Sequence, residues 1–367
     1  MVSVKIAIAG TRGIPARYGG FETFAEELSA RLATRGHDVS VYCRDVAPST
    51  DNRQPTTVHR LVLPALRHKY FETVSHTLLS ALDALGRDFD VVLLCNAANA
   101  FVLPLLRAAR ISVAINVDGI ERHRRKWNVA GKAVYAIGES FSALFANRVV
   151  ADANVIADYY RQRYGIEPVM IPYGAEFPSE EDSDVLQRLG VEAGNYLLYV
   201  SRFEPENNPL EVVEAYEKIA GAPKLIMLGA ASYDRDLDAA LQRHTSDRIL
   251  FPGALYGRDY RTLQRNALIY IQATEVGGTH PAMIEAMASG GCVLAHDTPE
   301  NREVGGDAVG YFRLRPSQTL SGTLSECLES PAMRERMRSA ARARAGERYG
   351  WTAVTDAYEQ LFGEIAR

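Results

Sequence analysis

Short apolar runs rich in β-branched residues, each ending near a glycine or a turn and most followed by a stretch of helical periodicity, constrain this chain more than any other feature. Residues 4–9 (VKIAIA) form the first run and stop at Gly10. Residues 21–35 follow, with apolar side chains at Phe21, Phe24, Ala25, Leu28 and Leu32, a spacing that lines one face of a helix. Gly36, His37 and Asp38 then turn the chain into a second run at 39–43, and further runs stand at 90–95, 112–117, 148–151 and 168–171. Runs of this length read as strands buried on both faces, and strands alternating with helices predict a doubly wound parallel sheet.

The pattern then starts again. Residues 173–183 are rich in turn formers and acids and read as a linker. Beyond them, runs at 196–201, 224–229, 248–252, 268–273 and 292–296 predict a second parallel sheet. The expected fold is α/β, two Rossmann-like doubly wound domains facing each other across a cleft. The expected boundaries are 1–175, 184–345 and a C-terminal helix at 346–367 that packs back on the first domain. The whole stretch from 331 reads as helical, broken near Tyr349-Gly350-Trp351. A length of 367 residues fits two domains at about 150 residues each.

Composition narrows the class. The chain is 47% hydrophobic and 23% charged with a net charge of −4, so it carries no overall nucleic-acid signature. Cys43, Cys95, Cys292 and Cys327 form no CxxC pair and read as buried free thiols of a reducing compartment. The N-terminal apolar stretch runs straight into a glycine loop rather than a cleavage site, and no run approaches the ~18 apolar residues of a membrane span. A cytoplasmic location is expected, with any membrane contact made from the surface.

Three segments carry chemistry. Gly10-Thr11-Arg12-Gly13-Ile14-Pro15, continuing to Gly19-Gly20-Phe21-Glu22, joins the first strand to its helix. Glycines at Gly13, Gly19 and Gly20, with Arg12 and Arg17, suit backbone and guanidinium contact with an anion; the alternative is a plain strand-to-helix turn. Ser201-Arg202, running on to Glu206-Asn207-Asn208, leaves the first strand of the second domain, where ligands of open sheets bind. Arg202 there holds a diphosphate with its fork of donors, or else pairs with Glu204 or Glu206. Glu275-Val276-Gly277-Gly278-Thr279-His280 is a second glycine loop opening a helix, with Glu285 further along it. The N–H groups of Gly278 and Thr279 face a phosphate in this reading, and Glu285 accepts from two ribose hydroxyls. Its apolar neighbours Met283, Ile284, Ala286 and Met287 argue that Glu285 is buried and needs a partner.

Taken together these segments resemble the retaining nucleotide-sugar glycosyltransferases of the GT-B fold. Arg202 matches the arginine of that family's second-domain pattern, and Glu285-Ala286-Met287-Ala288-Ser289-Gly290 matches its end. The register places the family's lysine at Asn207 and its first glutamate at Gly277, two departures, with Glu275 two residues out of step. The chain is similar to a narrower bacterial group, the rhamnosyltransferase-like branch, at Gly10-Thr11-Arg12-Gly13-Ile14-Pro15, Tyr18-Gly19-Gly20-Phe21-Glu22-Thr23, Asn116-Val117-Asp118-Gly119, Pro205-Glu206-Asn207-Asn208 and Val276-Gly277-Gly278-Thr279.

The resemblance implies transfer of rhamnose or a related hexose, with retention, from a dTDP- or UDP-sugar donor. The implied acceptor is a lipid-linked or growing glycan of a cell-surface polysaccharide. It assigns the acceptor to the first domain and the donor to the second, with no metal and no cofactor beyond the donor substrate. Arg202 and the Gly278 backbone would stabilise the leaving diphosphate, the Gly10–Gly20 loop would cover it, and closure would exclude water. Asp118 is the candidate for orienting hydroxyls, the alternative being a turn residue before Gly119. Three Asp-x-Asp patterns, at 88–90, 182–184 and 234–238, read as solvated acids. The basic run Arg122, Arg124, Arg125, Lys126 with Trp127 suits an anionic membrane surface or a lipid pyrophosphate; the alternative is a solvated helix start. A sugar-nucleotide epimerase, a phosphorylase or a non-catalytic sugar-binding protein share the architecture. A nicotinamide oxidoreductase is disfavoured by the missing GxGxxG.

Overall fold

The computed structural model describes residues 3–16, 19–44, 57–66, 71–125, 127–176, 183–230, 235–314 and 318–366. The chain divides into two compact units. The first comprises residues 1–123, 127–173 and 351–367, the second 124–126 and 174–350. Most of the expected linker, 177–182, lies outside the described residues.

Among the described residues the first unit holds a seven-stranded parallel sheet. Its strands are β1 (Lys5–Ala9), β2 (Asp38–Cys43), β3 (Val58–Val62), β4 (Val91–Cys95), β5 (Ser112–Asn116), β6 (Arg148–Ala151) and β7 (Val169–Met170). Their order is β3-β2-β1-β4-β5-β6-β7. The helices are α1 (Gly20–Thr34), α2 (Phe71–Ala84), α3 (Leu103–Ala108), α4 (Val129–Phe145) and α5 (Asn154–Tyr164). Ile6, Ala7, Ile8 and Ala9 are all buried because β1 is central and covered on both faces. β3 escapes the sequence reading. It is an edge strand whose residues are half-buried or exposed, so it lacks the apolar run that marks its neighbours.

The second unit carries a six-stranded parallel sheet among its described residues, ordered β10-β9-β8-β11-β12-β13. In chain order its elements are α6 (Val185–Leu189), β8 (Tyr196–Val200), α7 (Pro209–Glu217), β9 (Lys224–Leu228), α8 (Arg235–Gln242), β10 (Ile249–Gly253) and α9 (Gly257–Asn266). There follow β11 (Ile269–Gln272), α10 (Pro281–Ala288), β12 (Val293–His296), α11 (Pro299–Gly305), β13 (Gly310–Phe312), α12 (Gln318–Glu329) and α13 (Pro331–Arg348). β13, three residues at the edge, is the second strand that periodicity misses.

The helical break lies between α13 and α14 (Trp351–Ile365). α14 belongs to the first unit and packs on α1. There Trp351 lies under the Arg31 guanidinium at 5.2 Å, and Glu359 accepts from Arg35 at 2.6 Å and pairs with His37 Nε2 at 2.9 Å. All four cysteines are buried and free, as their sequence setting predicts.

Candidate donor site

In an open parallel sheet the ligand crevice forms where strand order reverses, beyond the carboxyl ends. In the second unit that point lies between β8 and β11, which are neighbours although they lie far apart in sequence. The two loops that leave these strands are the two singled out by their residue types. They are stitched together: Glu275 N–H donates to the Glu206 carbonyl at 2.9 Å, and Asn208 Nδ2 donates to the Ala273 carbonyl at 2.9 Å. Asn208 holds a left-handed backbone, φ 54°, a conformation that asparagine tolerates better than most residues. Asn207, at the lysine position of the resemblance, is buried and turned inward, its Nδ2 donating to the Arg202 carbonyl at 2.7 Å.

The charges around this junction are organised in pairs. Arg202 lies 3.7 Å from Glu204, whose carboxylate also lies 3.7 Å from Arg124. Arg124 reaches Glu206 at 3.4 Å; Arg124 is 7% exposed and Glu206 0%. Arg125 donates to Glu275 at 2.8 Å, to the Pro205 carbonyl and to Asn208 Oδ1, both at 3.1 Å. Residues 124–126 thus belong with the second unit although the chain on either side belongs to the first.

The basic run expected to meet an anionic surface is engaged within the protein at its three described arginines. Arg124 is buried against carboxylates, Arg125 is paired, and Arg122 turns to Glu139 at 3.5 Å and over the Tyr159 ring. Trp127 is half-buried against Tyr135, and Lys126 lies outside the described residues. The reason is electrostatic: guanidinium groups taken out of water stay there only against carboxylates.

The glycine loop at 277–279 precedes α10, with His280 at its N-cap and Pro281 in the first turn. A Cβ at Gly277 would meet His280 Cε1 at 2.4 Å, so the imidazole fills the space beside the position that carries glutamate in the resembled family. His280 Nε2 is buried with no hydrogen-bond partner, and burial, then the Arg124 charge, pulls its pKa down to about 4. The ring is neutral near pH 7. Thr279 is buried and Gly278 completes the turn. Further along α10, Glu285 is half-buried rather than buried as expected, and Tyr260 donates to it at 2.5 Å. Gln264 Nε2 in turn donates to Tyr260 at 2.8 Å and to the Ala282 carbonyl at 2.9 Å. Tyr260, Gln264, Glu206 and His280 were not among the expected site residues. Tyr260 and Gln264 stand four apart on α9, but only tertiary packing brings them to Glu285.

The first unit presents a different loop at its own reversal point, between β1 and β4. Gly10 and Gly13 have positive φ, 90° and 99°, and both are packed against protein: added Cβ atoms would meet the Cys95 carbonyl oxygen at 2.5 Å and Cys43 at 2.6 Å. The Arg12 N–H, one donor that an anion would use, donates to Glu22 at 2.9 Å. Glu22 is buried, which raises its pKa. Gly19 is the extended N-cap of α1 and Gly20 its first residue; Arg17 lies outside the described residues. Asp118 has φ 33° and its N–H donates to Asn116 Oδ1 at 3.2 Å, so Asn116 makes the turn that was the alternative reading of Asp118. Among the described residues no group of three or more His, Cys, Asp or Glu side chains is arranged to hold a metal ion.

Comparison with known proteins follows the same division. The family profile described as "Glycosyl transferases group 1" matches residues 185–344, and "Glycosyltransferase Family 4" matches residues 18–176. No curated protein sequence matches. Among solved structures, sucrose-phosphate synthase from Thermosynechococcus elongatus is 18% identical with a TM-score of 0.84, covering 99% of both chains. Anabaena HepE in complex with UDP-glucose is 17% identical, TM-score 0.79, covering 98% of this chain and 99% of its own. A trehalose-phosphate synthase from Burkholderia vietnamiensis is 12% identical, TM-score 0.75, covering 99% of both.

Proposed function

We propose, for a chain that belongs with the nucleotide-sugar glycosyltransferases of group 1 and the GT-B fold, that it moves rhamnose or a closely related hexose from a dTDP- or UDP-linked donor to a lipid-linked or growing glycan, retaining the anomeric configuration. The observation that carries the reading is the junction of the β8 and β11 loops. It sets Arg202 at one strand end and the 277–279 loop, with the head of α10, at the next. A glycine loop at a helix start beside a strand end that carries an arginine suits the charge that develops on a departing diphosphate. Glu285, fixed by Tyr260, is the group to take the ribose hydroxyls. That HepE has been crystallised with UDP-glucose supports a nucleotide-diphosphate donor.

In this reading Arg124 takes over the role of the lysine that Asn207 replaces, as a second cation beside Arg202 that shares Glu204 with it. Asp118, held at positive φ, orients a hydroxyl of the acceptor or the sugar. Turnover by Asp118→Asn equal to that of the unaltered protein removes Asp118 from this role.

A thermal-shift series tests the proposal with dTDP-rhamnose, UDP-glucose, UDP-GlcNAc and GDP-mannose, with NAD as control. A ligand present at a hundred times its dissociation constant adds about 2.7 kcal/mol of stability. A shift with one nucleotide sugar and none with NAD is expected, and proton NMR of the product then reads the anomer. A shift with NAD alone, or with none of the five, overturns the donor assignment.

A further inference from the structure

The helices α2, α3, α4 and α5 connect strands that advance in one direction across the first sheet, β3 to β4, β5, β6 and β7. Right-handed crossovers place all four on the same face. α2 and α4 pack on either side of the 3₁₀ turn at Ala97–Val102. Each buries one side in the usual way. The other side is the anomaly, because a surface helix should turn polar residues to water.

On α2 the outward stripe is Phe71, Val74, Leu78 and Leu82, at spacings of three and four, with Leu79 beside it and Leu85 just past the end. Phe71 is 57% exposed and Leu82 48%. On α4 the stripe is Ala130, Val134, Ile137 and Leu144, with Val129 and Ala133 alongside, while Phe141 between them is half-buried against the core. Ile137 is 55% exposed and Leu144 68%. Neither stripe contains a charged residue. Two such faces on one helix layer expose more apolar side chain than scattered exposed leucines explain.

The charges at the rim decide what covers it. Arg107 and Arg110, at the end of the neighbouring α3, Lys132 on α4 and Arg148 just after α4 are all exposed. Of the acids on or just beyond these helices, Glu72 faces Arg12 and Arg44, Asp83 is paired with Arg87, Glu139 is buried under α4 with Tyr159 and Tyr164, and Asp88 past the end of α2 is exposed, against four exposed basic residues. A two-fold contact with a second copy would set this basic rim against itself. An anionic bilayer meets both features, taking the apolar side chains below the headgroups and the arginines among them.

We propose that the outward faces of α2 and α4 are a docking surface for an anionic lipid bilayer. This deepens the lipid-linked acceptor reading, which gives the docking its purpose, while the surface itself stands on the two helices alone.

Vesicle flotation without acceptor or donor tests it. The protein is expected to float with vesicles of phosphatidylcholine and phosphatidylglycerol, and about tenfold less with phosphatidylcholine alone or in high salt. Ile137→Glu with Leu144→Glu, and separately Leu78→Glu with Leu82→Glu, are each expected to lower partitioning at least ~10-fold while leaving the donor thermal shift intact, since no donor-site group is touched. Hydrogen exchange of the unaltered protein reads the same surface without any substitution: vesicles should protect 71–85 and 129–145. Failure to float, flotation unchanged in both variants, or protection elsewhere overturns the proposal. So does a dimer in sedimentation that Ile137→Glu dissolves, which would assign the face to a second copy. Loss of the donor shift with flotation intact counts against the donor reading and leaves the surface standing.

Discussion

The two units share a topology and differ in where they spend their polar and apolar surface. Each reverses strand order beside its first strand, β1 in one and β8 in the other, and each sends a glycine loop from that strand or its neighbour into a helix. In the first unit that loop is closed on itself: Gly13 packs on Cys43, and Glu22 holds the Arg12 N–H. In the second the junction gathers Arg124, Arg125 and Arg202 against Glu204, Glu206 and Glu275. Among the described residues, every large exposed apolar side chain except Tyr256 lies in the first unit. One fold thus serves as a polar site in one half and an apolar face in the other. The lesson is that glycine loops at equivalent strand ends do not make equal sites. In the first unit the chain's own Glu22 takes a loop N–H, whereas in the second the loop stands beside a strand end that carries Arg202.

The comparison breaks first at Arg124. Arg124→Ala removes the guanidinium that faces the fully buried Glu206, and leaving a buried charge unmatched costs about 3–5 kcal/mol. Chemical denaturation should show that loss, and Arg124→Met with Glu206→Leu should recover most of it. Full stability in Arg124→Ala would mean that residues 124–126 are not part of the second unit's core. Next is Arg202→Ala. Arg202 is half-exposed and lies 3.7 Å from Glu204, a loose surface pair, so stability should hold while kcat/KM for the donor falls by about 10². An equal loss in Arg12→Ala would erase the distinction drawn between the two loops. Smaller still is Glu285→Gln, which keeps the shape beside Tyr260 and weakens charge-assisted hydrogen bonds by about 1–2 kcal/mol. A KM for the donor raised roughly tenfold with kcat little changed is the signature of ribose binding.

How far these features were legible differs with the range of the interaction. Strands such as β1 and β4 announce themselves because both their faces are covered, so every residue is apolar. β3 and β13 do not, since an edge strand needs no such run. Arg202 and the 277–279 loop were legible because their position follows a strand end, a local relation. Glu285 was expected to be buried and is only half-buried; its partner Tyr260 was not legible, because it comes from another helix. The ion pairs of the basic run were not legible for the same reason. Charge along the chain says nothing about a carboxylate 82 residues away, and Glu206 is what draws Arg124 inward. The apolar faces of α2 and α4 were hidden by the helices' own buried sides, because periodicity does not tell which apolar stripe meets the core.

His280 offers the finest test of the second unit's junction. Its folded pKa of about 4 lies below the ordinary 6.5, so protons bind the unfolded chain preferentially. Its contribution to stability is therefore complete above pH 6.5 and is lost as pH falls from 6.5 toward 4. One unit below 6.5 the loss is about 1 kcal/mol. His76 and His296 are also lowered by burial, but both remain in a His280→Asn variant, and their effects cancel in the difference. Glu359, whose pKa is lowered first by its hydrogen bond to His37 and then by Arg35, adds a loss that begins only below 4.5 and is likewise common to both. The difference in unfolding free energy between the two proteins should thus be level above pH 6.5 and slope between 6.5 and 4. Replacing Arg124 should narrow the pH window over which the difference slopes, since that guanidinium is the second cause of the depression. A difference that stays level through pH 5 would mean the imidazole sits in water, and with it would go the argument that Gly277 is small in order to make room for a buried, neutral ring.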